Sequence, residues 1–196
     1  MISNEELIYN KLVELYPNSL KAISEISKNT TDDNFFVESQ YKAFDFDDVK
    51  NCHLGCDDAL HKSPDSLFLF NNALYFIEFK EGDAKPVDIR SKIHEAIATL
   101  YTICVKYLSD INREDFFNLN IRYAVMMRKG NPKTFLGALR NTSNRFRLKN
   151  LEGYIVKKTK VTNNPVDIVK TLRQLTQDSV LPLKIHNREH PVEEYT

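Results

Sequence analysis

A chain of 196 residues, 42% of them hydrophobic, has enough apolar mass for one core and a length that suits a single domain, here assigned to residues 1–181 with a weakly ordered tail over 182–196. No run of about 18 apolar residues is present to cross a membrane. The opening Met1-Ile-Ser-Asn-Glu-Glu6 lacks the basic-then-apolar layout of a secretion signal, so the cytoplasm is the expected compartment. Three cysteines make no disulfide framework, and five glycines make no phosphate-cradling loop of either nucleotide-binding type.

In chain order, Asn4 to Tyr16 reads as an amphipathic helix with Leu7, Ile8, Leu12 and Leu15 near helical spacing and Pro17 as its stop. Leu20 to Ser27 suggests a second short helix, and the polar cluster over 29–34 a loop. Phe35 to Phe46 is expected to be extended, and Cys52 to Leu60 a strand or a loop. Ser66 to Phe70 and Ala73 to Lys80 read as two strands joined by Asn71-Asn72, since asparagine tolerates the positive φ of a two-residue hairpin turn. A turn at Gly82-Asp83 precedes Pro86 and a long helix to Leu108, whose stripe is Ile89, Ile93, Ile97, Leu100, Cys104 and Leu108. Ile121 to Met127 reads as a strand, Thr134 to Arg140 as a short helix, Tyr154 to Lys158 as a strand and Val166 to Gln174 as a helix. The alternation predicts an α/β protein, a mixed β-sheet flanked by helices.

The hairpin concentrates the chemistry. If Phe70 faces Ala73, paired positions sum to 143, and Asp65 falls opposite Glu78 on one face, with Cβ atoms ~5 Å apart. Lys80 shares that face. Opposed carboxylates destabilise a hairpin unless a positive charge lies between them, and a divalent cation is the expected one.

Pro64-Asp65 followed by Glu78-Phe79-Lys80 resembles the motif of the PD-(D/E)XK nuclease superfamily. The resemblance covers roughly residues 60 to 110 and implies a restriction-endonuclease-like core. It further implies that Asp65 and Glu78 hold Mg2+ (or Mn2+), that Phe79 lends its carbonyl, and that Lys80 is the catalytic cation. An acid-x-Lys triplet is common in a chain with 28% charged residues, and Asp48-Val-Lys50 and Asp83-Ala-Lys85 also occur. Neither ends an apolar strand with Pro-Asp upstream. A solvated hairpin in which Lys80 neutralises two surface acids is the plain counterpart of this reading.

Charge is unevenly spread. Residues 1–65 hold thirteen acids against six Lys and Arg, whereas residues 126–160 hold ten Lys and Arg against the single acid Glu152. Within that stretch Arg128, Lys129, Lys133, Arg140, Arg145, Arg147 and Lys149 are candidate contacts to a nucleic-acid backbone. On the long helix, Arg90 and His94 are four residues apart beside the apolar stripe, with Lys92 nearby, and the resemblance makes Arg90 and His94 candidates for the scissile phosphate. It also calls for a glutamate from the first helix, with Glu14 and Glu38 both open as donors. Cys52, His53, Cys56 and His61 carry zinc-ligand chemistry but lack the repeated pair of a closed zinc site, so unpaired thiols are the expectation.

These readings converge on a Mg-dependent nuclease hydrolysing phosphodiester bonds, with DNA expected ahead of RNA and a homodimer the simplest means of cutting both strands. The alternative is a non-catalytic nucleic-acid- or protein-binding module of the same fold in a bacterial or phage defence or counter-defence system. A third reading treats the hairpin acids and the basic stretch as ordinary surface.

Overall fold

The computed structural model describes residues 2–29, 34–55, 61–81, 84–128, 146–177, 183–186 and 193–194. In chain order these form α1 (Asn4–Leu15), β1 (Leu20–Ala22), α2 (Ile23–Ile26), β2 (Lys28–Asn29), β3 (Asn34–Phe35), β4 (Val37–Glu38), β5 (Lys42–Asp45) and α3 (Phe46–Leu54). There follow β6 (Ser66–Leu69), β7 (Leu74–Lys80), α4 (Pro86–Tyr107), α5 (Arg113–Asn118), β8 (Ile121–Met127), β9 (Lys158–Thr162), α6 (Pro165–Thr176), β10 (Lys184–Ile185) and β11 (Glu193–Glu194). The protein is α/β. A mixed six-stranded sheet in the order β1-β5-β6-β7-β8-β9 is flanked by helices on both faces.

Alternation along the central strands sorts the core into two layers. Leu74 and Phe76 of β7, with Ile121, Tyr123, Val125 and Met127 of β8, face α1, α3, α4 and α5; Ile77 and Phe79, with Ala124 and Met126, face α2, α6 and β10. Glu78 lies in the first row, directly after Phe76. A carboxylate therefore occupies a core position on the face that α4 covers.

The hairpin register is the one the sequence requires. Ser66 pairs with Ile77 and Leu69 with Leu74, so paired positions sum to 143 and Asp65, one residue before β6, falls opposite Glu78. Phe70 and Ala73 exchange both backbone hydrogen bonds at 3.0 Å, and Asn71 (φ 46°) and Asn72 (φ 51°) take the left-handed conformations of a two-residue turn. From β7 the chain crosses through α4 and returns as β8, parallel to β7, with Glu78 beside Val125 and Lys80 beside Met127. Pro86 starts α4, where a missing N–H costs nothing.

Several expected elements are corrected. Leu20 to Ser27 divides into strand β1 and the one-turn α2, because Leu20 to Ala22 pair with Lys42 to Phe44. The part of Cys52 to Leu60 that is described is neither strand nor loop: Cys52 to Leu54 complete α3, which Asp45 caps by accepting from the Asp48 N–H and Gly55 (φ 68°) closes. The strand placed at Tyr154 to Lys158 begins only at Lys158, because Gly153 (φ 76°) and the following turn occupy the preceding residues; the chain joins β8 where the Lys157 N–H donates to the Ile121 carbonyl at 2.8 Å and Lys158 pairs with Arg122. Helix α5 was not anticipated. The helix expected over Thr134 to Arg140 lies outside the described residues. In the segment assigned to a loose tail, Lys184 and Ile185 pair with Glu38 and Val37, and Leu183 and Ile185 are buried, so apolar burial anchors it there. No helix among the described residues is long and apolar enough to cross a membrane.

The hairpin turn is directly testable. Asn72→Gly is expected to raise stability slightly, because it removes the Cβ from left-handed space, and Asn72→Ala to lower it by ~1 kcal/mol, because it keeps the Cβ and loses the amide that lets asparagine tolerate that conformation. Urea denaturation of the three proteins measures both.

Candidate functional site

Three chain segments meet at the end of β7. Asp65 is held at the mouth of β6, its carbonyl accepting from the Phe46 N–H at 3.1 Å. One of its carboxylate oxygens, Oδ2, accepts from the Phe79 N–H at 2.5 Å, which continues the β6–β7 ladder one step beyond the last backbone pair through a side chain. The other, Oδ1, faces the Lys92 ammonium at 3.3 Å. Lys92 Nζ also donates to Glu78 Oε2 at 2.7 Å. The two carboxylates thus converge, as the register requires, and a lysine from α4 lies between them.

Burial sets the electrostatics. The Glu78 side chain is 2% exposed, whereas Asp65 and Lys92 keep 19% and 22% of theirs. Loss of water raises the Glu78 carboxyl to about 8, with the neighbouring Asp65 charge adding to the rise and Lys92 opposing it. Burial also pushes Asp65 up, against the pull of Lys92 and the Phe79 N–H. Desolvation works against the Lys92 charge, but Asp65 and Glu78 outweigh it and hold the ammonium above its usual range. Lys92 is thus a cation shared by two carboxyl groups that burial pushes up together.

Lys80 ends β7 on the same side as Glu78, half-buried, with its charge felt by Glu78. Beside it opens a polar pocket of about 240 Å3, lined by Asp65, Phe79, Lys80 and Glu81 together with Ser27 and Lys28. The Phe79 N–H already points to Asp65, and in a β-strand the carbonyl of a residue faces the same edge as its N–H, so the Phe79 oxygen is directed toward that edge as well. A third acid lies close: the Asp47 charge reaches both Asp65 and Lys92, although its Oδ1 accepts from the Ser63 hydroxyl and lies 3.4 Å from Lys50 Nζ.

Other candidates stand elsewhere. Arg90 Nη1 donates to the Arg147 carbonyl at 3.0 Å, and His94 is exposed; both lie on the flank of α4 opposite Lys92. Lys92, not either of these, reaches the carboxylates. Arg128 is corrected from a surface contact to a buried structural cation. Its Nη2 lies 2.6 Å from Glu81 Oε1 and 2.7 Å from the Phe35 carbonyl, and its guanidinium covers the Phe36 ring. Arg147 and Lys149 are exposed, the latter paired with Glu152 at 3.1 Å. Lys129, Lys133, Arg140 and Arg145 lie outside the described residues. Glu14 pairs with Lys11 and Glu38 with His186, so neither is directed at Asp65 or Glu78 by these bonds.

Among the described residues, the side chains of the zinc pattern are not gathered into a metal-binding group. His53 Nδ1 meets the Tyr16 hydroxyl at 3.1 Å and Nε2 meets Thr102 Oγ1 at 3.0 Å, Cys52 is a free exposed thiol, and Cys56 lies outside the described residues. Cys104 is buried on the α4 stripe, where burial raises its thiol to about 12. Of the decoy triplets, Asp48 pairs with Lys21, and Lys50 is buried with its ammonium on the His61 carbonyl.

The donor set at the hairpin suits a hard divalent ion. Among the described residues no cluster of three or more acidic, histidine or cysteine side chains forms a complete cage. Two carboxylates and a backbone carbonyl, all oxygen, nevertheless fit magnesium, which keeps several waters and takes one or two protein carboxylates. No family model matches the chain, and no curated protein or solved structure matches it.

Burial of Glu78 makes stability depend on pH. Its folded-state value of about 8 lies above the ordinary 4.5, so the folded protein binds the extra proton. The contribution is complete below pH ~4.5 and is lost as pH rises through ~8. Wild type is therefore expected to lose stability on the order of several kcal/mol between pH 5 and 9, and Glu78→Gln to lose much less. Denaturant unfolding at the two pH values decides it; parallel losses in both proteins mean Glu78 is ionised throughout.

Proposed function

We propose that the protein is a magnesium- or manganese-dependent nuclease that hydrolyses phosphodiester bonds, with DNA ahead of RNA as substrate, on a restriction-endonuclease-like core of the PD-(D/E)XK type. One observation carries the reading. Asp65 and Glu78 converge on one face at the open end of β7, with Lys80 beside them on a polar pocket. Asp65, Glu78 and the Phe79 carbonyl would hold the ion. When bound, it would polarise a phosphoryl oxygen and lower the pKa of a water.

The chain's own groups supply the rest. Asp65, anchored by the Phe79 N–H, keeps an oxygen turned to the site without rotamer search. Lys80 and Lys28 place positive charge at the pocket wall, where an incoming phosphodiester would sit, and Lys80 would stabilise the charge that develops on phosphorus. Apolar neighbours Phe76 and Val125 keep water from the Glu78 side.

The Lys92 contacts favour a second reading on their own terms: a non-catalytic module in which the ammonium permanently neutralises both acids. The two readings separate in one experiment. A nuclease is expected to cleave DNA with magnesium or manganese, to lose activity with Asp65→Asn, and to fall by ~100-fold or more with Lys80→Ala. Manganese should raise the melting temperature of wild type and leave that of Asp65→Asn/Glu78→Gln unmoved. Absence of both cleavage and a manganese shift in wild type would overturn the nuclease reading in favour of the non-catalytic one.

Nucleic-acid binding is expected to weaken with salt, and Arg147→Ala/Lys149→Ala to flatten the log–log slope by ~0.7 to 0.9 per lost phosphate contact. Fluorescence anisotropy with labelled duplex and single strands across a salt series measures it; an unchanged slope makes both residues ordinary surface.

A further inference from the structure

Resting on the metal-site reading above, we infer that Lys92 is a tethered counter-cation occupying the same carboxylate oxygens as the divalent ion, so that metal enters this site by exchange with the protein's own ammonium. The geometry carries it. Lys92 Nζ lies 2.7 Å from Glu78 Oε2 and 3.3 Å from Asp65 Oδ1, between the groups that would ligate the ion. An ammonium and a divalent cation cannot share that space, since like charges a few ångströms apart repel by several kcal/mol even at moderate effective dielectric.

The lysine has somewhere to go. Asp47 lies within electrostatic reach of the Lys92 ammonium, at the first turn of α3. Movement toward it keeps the charge paired while it vacates the carboxylates. The exchange breaks two ion-pair contacts and forms new ones at Asp47 and at the incoming ion, with no covalent change. Lys92 also has a flexible stem, and a fifth of its side chain is exposed, whereas Glu78 is fixed in the core. The moving partner is therefore the lysine.

The arrangement explains how two acids remain adjacent without a bound ion. It also means that metal binding competes with an internal ligand whose effective concentration is high. Lys92 is a positioning residue, acting through the carboxylates it holds.

The test is metal binding itself, read by isothermal titration calorimetry with Mn2+ on wild type, Lys92→Gln and Lys92→Arg, with Asp65→Asn/Glu78→Gln as the site control. Lys92→Gln is expected to bind Mn2+ at least about tenfold more tightly than wild type, whereas Lys92→Arg, which keeps the charge, is not. Equal or weaker binding by Lys92→Gln, with wild-type binding abolished in the control, overturns the exchange and leaves the metal site standing. No binding by wild type or Lys92→Gln overturns both. If Lys92→Gln does not fold, the 15N resonance of the Lys92 ammonium in labelled wild type serves instead. Its displacement on saturation with Mg2+ supports exchange, and an unmoved resonance in a protein that binds Mg2+ overturns it.

Discussion

The structure turns on a charge cluster inside a hydrophobic layer. Glu78 stands where the alternation of β7 demands an apolar side chain, and the Lys92 ammonium offsets the cost of burying its carboxylate beside a second acid, Asp65. An unpaired carboxylate there would cost several kcal/mol, and replacing the cluster with apolar residues of similar volume would be neutral or stabilising. Its presence is therefore not explained by stability. The residues around it are placed to keep it: α4 lies flat on the sheet through Ile89, Ile93 and Ala96, which positions Lys92 over the hairpin end.

Precision at that end comes from short-range devices. The paired asparagines set the register, the register puts Asp65 opposite Glu78, and the Phe79 N–H fixes one Asp65 oxygen. Arg128 then ties the strand terminus in place. Its backbone N–H donates to the Lys80 carbonyl at 2.9 Å, while its guanidinium joins Glu81 and Phe35. Lys80 thus projects from a backbone held on both sides, which suits a group that must act at a defined position.

The hairpin, the long helix and β8 are legible because each carries a strong local signal: Asn71-Asn72 between strands, Pro86 at the helix start, and the five-residue apolar run Tyr123 to Met127 in β8. Helix α3 was not legible from apolar spacing, since Phe46 and Val49 are its only buried apolar residues; Asp45, Asp48 and Gly55 were the available cap signals. The acids are legible from the Pro64-Asp65 and Glu78-Phe79-Lys80 pattern together with the hairpin register. Helical phase singles out Arg90, Lys92 and His94 as flanking the buried stripe but does not show which flank meets the hairpin, so it does not place Lys92 ahead of Arg90 and His94. Arg128 misled for a related reason. A cation at a strand end reads as surface unless its partner, Glu81, is known to be folded over it.

The site's three charged groups come from neighbouring stretches of chain. Lys92 is 14 residues from Glu78 and 27 from Asp65, whereas the bond that ties α1 to the sheet, Asn120 N–H to Glu5, spans 115 residues. Loop-closure entropy grows with the logarithm of length, so bringing Lys92 to Asp65 costs ~1 kcal/mol less than closing that longer loop. The hairpin and α4 thus form a local unit whose pairing is entropically inexpensive, with the charge arrangement specified by fewer than thirty consecutive residues.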